Sequence, residues 1–281
     1  MLACSFQVAS GQVLSSPGLP SIAEIEQEII DLQGYFKNRF PDTPIEEFNN
    51  GAYSLPQSEN RRFSWKLLKV LPPYEHAMIE ARNLWNRPSI NGSRMDDCFD
   101  GHPGANQFPY FGNGRIITIE SALNECLRKN GKNTLEYSSN TLAALTAVAR
   151  EKSNGKPFAI NIDSTEIRQA YAQGRQLFWA RRGQNNFSCA SCHIENAGNR
   201  LRGDVISASL GHPAPFPLFS PAMESSGAQN PWITLHDQYA ACFVRAGAEP
   251  PRAQSSSFVA LEVYQAITSA GVPVNAPGLR P

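Results

Sequence analysis

The 281-residue chain has no run of about 18 apolar residues, so no segment reads as a membrane-crossing helix. It has no excess of either charge. Lys+Arg and Asp+Glu stand at 25 each, which excludes the basic field that draws nucleic acid or anionic lipid, and there is no acidic tail. The opening MLACSFQVAS lacks the charged start and full apolar stretch of a secretory signal and reads as the remnant of one or a mis-set start. Cys4 within it is left unassigned, either an incidental thiol or a lipid-modified one. Charged residues are few, at 18%, whereas the 21 prolines and 20 glycines predict many turns and long irregular connections of the kind that wrap a cofactor.

Residues 1–75 read as an extended leader and a helical arm. In SIAEIEQEIIDLQGYFKNRF (21–40), Ile22, Ile25, Ile29, Ile30 and Leu32 recur at near-helical spacing behind Ser21 as N-cap, with Pro41 just beyond the end. Pro56, Pro72 and Pro73 break the stretch that follows, which is expected to be mostly irregular and to lead into the first domain. The remainder repeats itself. CFDGH (98–102) matches CASCH (189–193), CLRKNG from Cys126 matches CFVRAG from Cys242, and SSNTLAALTAV (138–148) matches SSSFVALEVYQ (255–265), in the same order. Each half opens on a helical pattern, around Leu84 and Trp85 and around Leu177 and Phe178. The expected fold is mostly α, with two tandem cytochrome c-like domains: 76–160, which has lost its haem, and 161–281, which binds it.

Cys189-Ala190-Ser191-Cys192-His193 is a c-type haem attachment motif: two thiols reach the vinyl groups, and the next residue brings an imidazole under the iron. Cys-x-x-Cys also occurs in redox disulfides and zinc sites. The following histidine, the lack of a second Cys-x-x-Cys, and the preceding AYAQGRQLFWARRG all point to one covalently bound haem c. That segment resembles the first helix of cytochrome c, with Gly174 and Phe178 placed to cross the last helix near Leu261 and Tyr264. For the sixth ligand, Met223 is the only methionine downstream and lies in the loose-looking PAMESSGAQNP, while Cys242 follows the helical pattern WITLHDQYAAC. A buried cysteine can be an inert small hydrophobe. Cys242 nevertheless precedes the last helix, where a distal ligand belongs, and thiolate ligation would lower the iron's potential. His212 and His236 are the fallback ligands.

In the first half, CFDGH retains Cys98 and His102, but Gly101 stands where the second attachment thiol would be. With no haem between them, Cys98 and Cys126 can pair as a disulfide in an extracytoplasmic compartment. Retained haem on Cys98 alone is the alternative.

The chain resembles the SoxA family, the larger cytochrome subunits of SoxAX complexes, in their single-haem form. The resemblance runs from about residue 70 to the end, through FPYF, ITIESALNECLRKNGK, the 189–193 motif, NRLRGDVIS, Cys242, RAGAEPP, FVALEVY and GVPVNAPGLRP. It implies a periplasmic L-cysteine S-thiosulfotransferase that conjugates thiosulfate oxidatively to a cysteine of a SoxYZ-type carrier and passes electrons to a small SoxX-type cytochrome in a heterodimer. It also implies that Cys242 is both distal haem ligand and active cysteine, receiving the sulfane sulfur of thiosulfate. The partner would meet the haem edge at an apolar interface, consistent with the four tryptophans and the proline-rich loop 213–221.

One departure stands out. The family pattern places an arginine four residues before the active cysteine and often another two before it; here these are Gln238 and Ala240. A neutral amide lacks arginine's charge-assisted, forked contact to an oxyanion. Arg202, Arg245 or Arg252 would have to take over, with Gln238 as a further substrate contact. Otherwise the chain is a divergent, electron-carrying subunit.

Overall fold

The computed structural model describes residues 18–89, 92–99, 102–228 and 230–280, so Cys4 and Gly101 lie outside the described residues. The chain is mostly helical, and its buried side chains form two cores.

Helix α1 (Ile22–Arg39) begins at Ser21, whose hydroxyl accepts from the Glu24 backbone while the Glu24 carboxylate accepts from the Ser21 backbone, a closed capping box. Its Ile25 and Phe36 are fully buried, together with Phe40, Phe48 and Leu55, in the same core as Phe178 and Tyr264. Helix α1 therefore packs on the second half of the chain, whereas Trp65 and Leu68, further along the arm, pack on the core of the first. The arm is not mostly irregular. A 3-10 turn covers Ile45–Ser54 and helix α2 spans Glu59–Val70, because Pro56 enters a short helical turn ahead of α2 and does not interrupt it.

The two halves then present the same order of elements. In the first, α3 (Glu75–Asn86), the short α4 (Met95–Phe99), α5 (Ile119–Lys129) and α6 (Asn140–Glu151) enclose a core of Trp85, Phe108, Leu123 and Leu145, with the hairpin β1 (Tyr110–Gly112) and β2 (Arg115–Ile117) before α5. Cys98 on α4 and Cys126 on α5 are joined by a disulfide. The second half comprises α7 (Thr165–Trp179), the short α8 (Cys189–His193), α10 (Leu235–Arg245) and α11 (Ser256–Thr268). Between α8 and α10 come the ribbon β3 (Arg200–Leu201) and β4 (Asp204–Val205), strand β5 (Leu218–Phe219), the five-residue α9 (Pro221–Ser225) and β6 (Trp232–Ile233).

Helices α7 and α11 cross in close contact at Gly174, where a Cβ would lie 2.0 Å from the Ala260 carbonyl oxygen and 2.8 Å from Tyr264 Cβ. Phe178 packs on the Tyr264 ring at 5.2 Å beside this crossing. Glycine is required because the backbones approach too closely for any side chain.

The end of the chain closes a small sheet, with β7 (Gly278–Leu279) parallel to β5 and β6 antiparallel to it. This sheet makes the 213–221 segment interior: Pro213, Pro215, Phe216, Pro217 and Phe219 are buried, and of the four tryptophans only Trp179 is exposed. Strand β5 is paired on both edges, while Pro215, Phe216 and Leu218 of this segment border the cleft described below. Among the described residues no helix is long and apolar enough to cross a membrane.

Candidate active site

Helix α8 is only five residues long, yet its start is well defined. Ser188 caps it with Ser191 in a capping box, and the i, i+3, i+4 spacing turns Cys189, Cys192 and His193 to one face. That face borders a cleft of about 750 Å³. The opposite wall is α10, whose Gln238, Cys242 and Arg245 face the cleft while Leu235, Tyr239 and Phe243 enter the core. The walls are held together at Gly183, which lies against Ala246, and by Asn185, whose backbone N–H donates to the Ala246 carbonyl at 3.0 Å and whose side chain donates to Arg245 O at 2.8 Å. The Arg182 guanidinium stacks over Phe243, 4.4 Å from the ring centre.

The imidazole of His193 is oriented from behind. Its Nδ1 lies 2.9 Å from the Ser207 carbonyl, which can only accept, so Nδ1 carries a proton and the ring is fixed in the cleft wall. His212 lies beside it, ring centres 4.8 Å apart, and burial holds its pKa well below the ordinary histidine value, so it is neutral. His193 and Cys242 border one small enclosed space with Cys189, Tyr239 and Gln265.

The three free cysteines among the described residues differ. Burial pushes Cys189 up to about 11 and raises Cys192 as well. Burial acts the same way on Cys242, but His193, Arg245 and Gln238 together outweigh it and draw that thiol below its ordinary value. Gln238 Nε2 donates towards Cys242 Sγ at 3.5 Å, and Arg245 Nη1 lies 3.8 Å from the same sulfur.

These residues fit a c-type haem. The cleft volume falls within the roughly 300–1,000 Å³ of cofactor pockets. Two thiols and an imidazole of fixed orientation share one wall, a thiol stands on the other, and the cations Arg61, Lys69, Arg182, Arg200, Arg202, Arg245 and Arg280 line the space against a single carboxylate, Asp204. Among the described residues no group of three His, Cys, Asp or Glu side chains is arranged to hold a metal ion, as the zinc alternative would require.

Several sequence candidates fall elsewhere. His236 does not border the cleft: its Nδ1 accepts from the Gln254 backbone at 3.0 Å, and its Nε2 lies 3.1 Å from the Glu262 carboxylate, both side chains being buried. Met223 sits on α9, not in a loop, and is partly exposed and away from the cleft. Arg202 lies on the cleft rim in an exposed turn, and Arg252 is not among the lining residues. Arg280 was not singled out from the sequence. Its Nη1 donates to Gln238 Oε1 at 3.1 Å, and the only hint was its place in the GVPVNAPGLRP stretch.

No protein-family model matches the chain. Curated relatives do. It is 35% identical to the L-cysteine S-thiosulfotransferase subunit SoxA of Chlorobaculum tepidum, over 92% of this chain and 88% of that protein. It is 33% identical to the subunit of the same name from Allochromatium vinosum, over 95% and 96%. Among solved structures, SoxXA from P. pantotrophus superposes with a TM-score of 0.68 at 24% identity, covering 78% of this chain and 83% of that one.

Proposed function

The chain belongs to the SoxA family of L-cysteine S-thiosulfotransferase subunits, and from that premise we propose that it is a periplasmic, single-haem subunit that joins thiosulfate to a cysteine of a SoxYZ-type carrier. Its heterodimer partner is a small SoxX-type cytochrome c. The two halves are tandem cytochrome c-like domains, of which 76–160 has exchanged its haem for the Cys98–Cys126 disulfide and 161–281 retains it, with 1–75 as leader and arm. What carries the reading is Cys242, the one described free thiol drawn towards its thiolate, facing His193 across a cation-lined cleft.

Cys189 and Cys192 would hold the haem covalently, and His193 and Cys242 would be its ligands from the two walls of the cleft; when bound, the haem would supply a one-electron acceptor beside the sulfur. The side chains around Cys242 do the rest. Arg245 and Gln238 favour its thiolate and seat the incoming thiosulfate dianion. A bond forms between Cys242 Sγ and the sulfane sulfur of thiosulfate, and two electrons leave for the partner cytochrome. The carrier's thiolate then attacks that sulfane sulfur, its S–S bond to Cys242 breaks, and Cys242 departs as thiolate, an exchange suited to a low-pKa leaving group. In sum, thiosulfate and a carrier thiol yield the carrier S-thiosulfonate, one proton and two electrons.

The test is to mature the protein with its cytochrome partner in a periplasm, add thiosulfate and carrier, and weigh the carrier. A thiosulfonate adduct that disappears with Cys242→Ala supports transfer. Neutral Gln238 favours the rival reading, an electron-carrying subunit without transferase activity, for which the haem is redox-active but the carrier never gains mass.

A further inference from the structure

Gln238 occupies the place of a cation, yet it is not isolated. Arg280 Nη1 is 3.1 Å from Gln238 Oε1, and Gln238 Nε2 is 3.5 Å from Cys242 Sγ. A guanidinium offers donors only, so the Gln238 amide must turn its oxygen to Arg280 and its NH2 to the sulfur. The orientation of Gln238 is thus dictated by Arg280.

Arg280 is itself delivered from a fixed backbone. Its N–H donates to Phe219 O at 2.8 Å, Gly278 N donates to Pro215 O at 2.7 Å, and Leu279 between them is buried. The neighbouring carboxylate does not neutralise it, because Asp204 is held by Arg61 at 3.0 Å and reaches Arg280 only at 4.0 Å. Arg245 stands on the other side of the sulfur at 3.8 Å. An anion arriving at Cys242 would therefore meet a guanidinium from the end of the chain, an oriented amide, and a guanidinium from α10.

We propose that Arg280, delivered by the C-terminal strand, is the positioning residue that supplies the missing cation: it orients Gln238 towards Cys242 and seats the sulfonate end of thiosulfate. This rests on Cys242 being the reactive sulfur. The cation beside Gln238 thus comes from a strand that meets α10 only in the folded chain.

The holoprotein, matured with its cytochrome partner, tests it in two ways. In the conjugation assay, Arg280→Met should raise the KM for thiosulfate roughly ten- to a hundredfold, the fold-change equivalent to about 1.5–3 kcal/mol for a charged hydrogen bond, with kcat changed less. Arg280→Lys should recover part of this, and Gln238→Arg should rescue Arg280→Met. The second measurement needs no turnover: the ratio of Cys242 alkylation rates by iodoacetate and by neutral iodoacetamide, read by mass spectrometry. The ratio cancels thiolate fraction and access, so a fall of severalfold in Arg280→Met, partly restored by lysine, reports anion attraction at the sulfur. If the unmodified protein forms no carrier adduct but the ratio falls, the transferase reading fails and the anion seat stands. An unchanged ratio in Arg280→Met, or a KM that does not move in an active enzyme, overturns the proposal.

Discussion

The two halves of the chain have the same order of helices and opposite interiors. In the first, Trp85 and Phe99 lie 5.4 Å apart, Phe99 and His102 5.5 Å, and Phe108 meets Tyr110 at 5.0 Å, so rings fill the space beside the Cys98–Cys126 disulfide. His102 is occupied by a hydrogen bond with the Tyr110 hydroxyl. In the second, Phe178 packs on Tyr264 and Tyr239 on Phe258 in the core, and a cleft remains between Cys189–His193 and Cys242. A cysteine pair therefore closes one half upon itself, and the corresponding positions in the other face each other across a space lined with cations.

The most severe way to break this contrast is to remove the second half's facing sulfur. Cys242→Ala should abolish carrier conjugation while the haem stays covalently attached with an altered spectrum, and a residual adduct would return the reactive role to another thiol. Next is the first half's covalent closure. Replacing Cys98 and Cys126 together by serine opens a loop of 28 residues separation, worth about 3–4 kcal/mol by chain-entropy reasoning. Denaturant melts should weaken by that amount without a change in haem absorbance; a spectral shift would mean that the two centres are mechanically coupled.

A smaller effect is expected where α7 crosses α11. Gly174→Ala forces Cβ into the Ala260 carbonyl and should cost about 1–3 kcal/mol, more than the gain of up to about 1 kcal/mol from removing a helical glycine. Thermal melts followed by haem absorbance check it, and a neutral result would show that the crossing can widen.

The smallest effect lies at the seam between the halves. Burial, then the Glu262 carboxylate, pushes Glu120 up to about 7, with His236 and Arg150 pulling the other way. Since the folded value lies above the ordinary 4.5, the native state binds more protons between those limits, and this group's stabilisation is lost as pH rises from about 4.5 to about 7. Glu120→Gln should remove that slope, leaving stability at pH 4 unchanged and raising it at pH 7.5 by about 1–2 kcal/mol, within the limit set by about 1.4 kcal/mol per pKa unit. Melting curves across pH would reveal it, and parallel profiles would place the proton elsewhere.

Local chemistry explains what was legible in advance. The spacing of Cys189, Cys192 and His193 works within one helical turn, Ser21 with Glu24 caps α1 within four residues, and Gly174 announces a close crossing because glycine inside a helix otherwise costs stability. The pairing of Cys98 with Cys126 followed from the missing second thiol. One proline misled: Pro56 begins a helical turn where it was read as a break.

The sequence by itself determined the attachment motif, the doubled order of helices and the neutral residue at 238, since each depends on residue type and spacing along the chain. Only the tertiary structure decided that α1 packs on the second half, that His236 belongs to a buried pair with Glu262 and not to the cleft, and that Arg280 meets Gln238 across 42 residues. Those outcomes come from non-local packing, in which a strand or helix far away in the chain supplies the charge or the apolar face that no local pattern encodes.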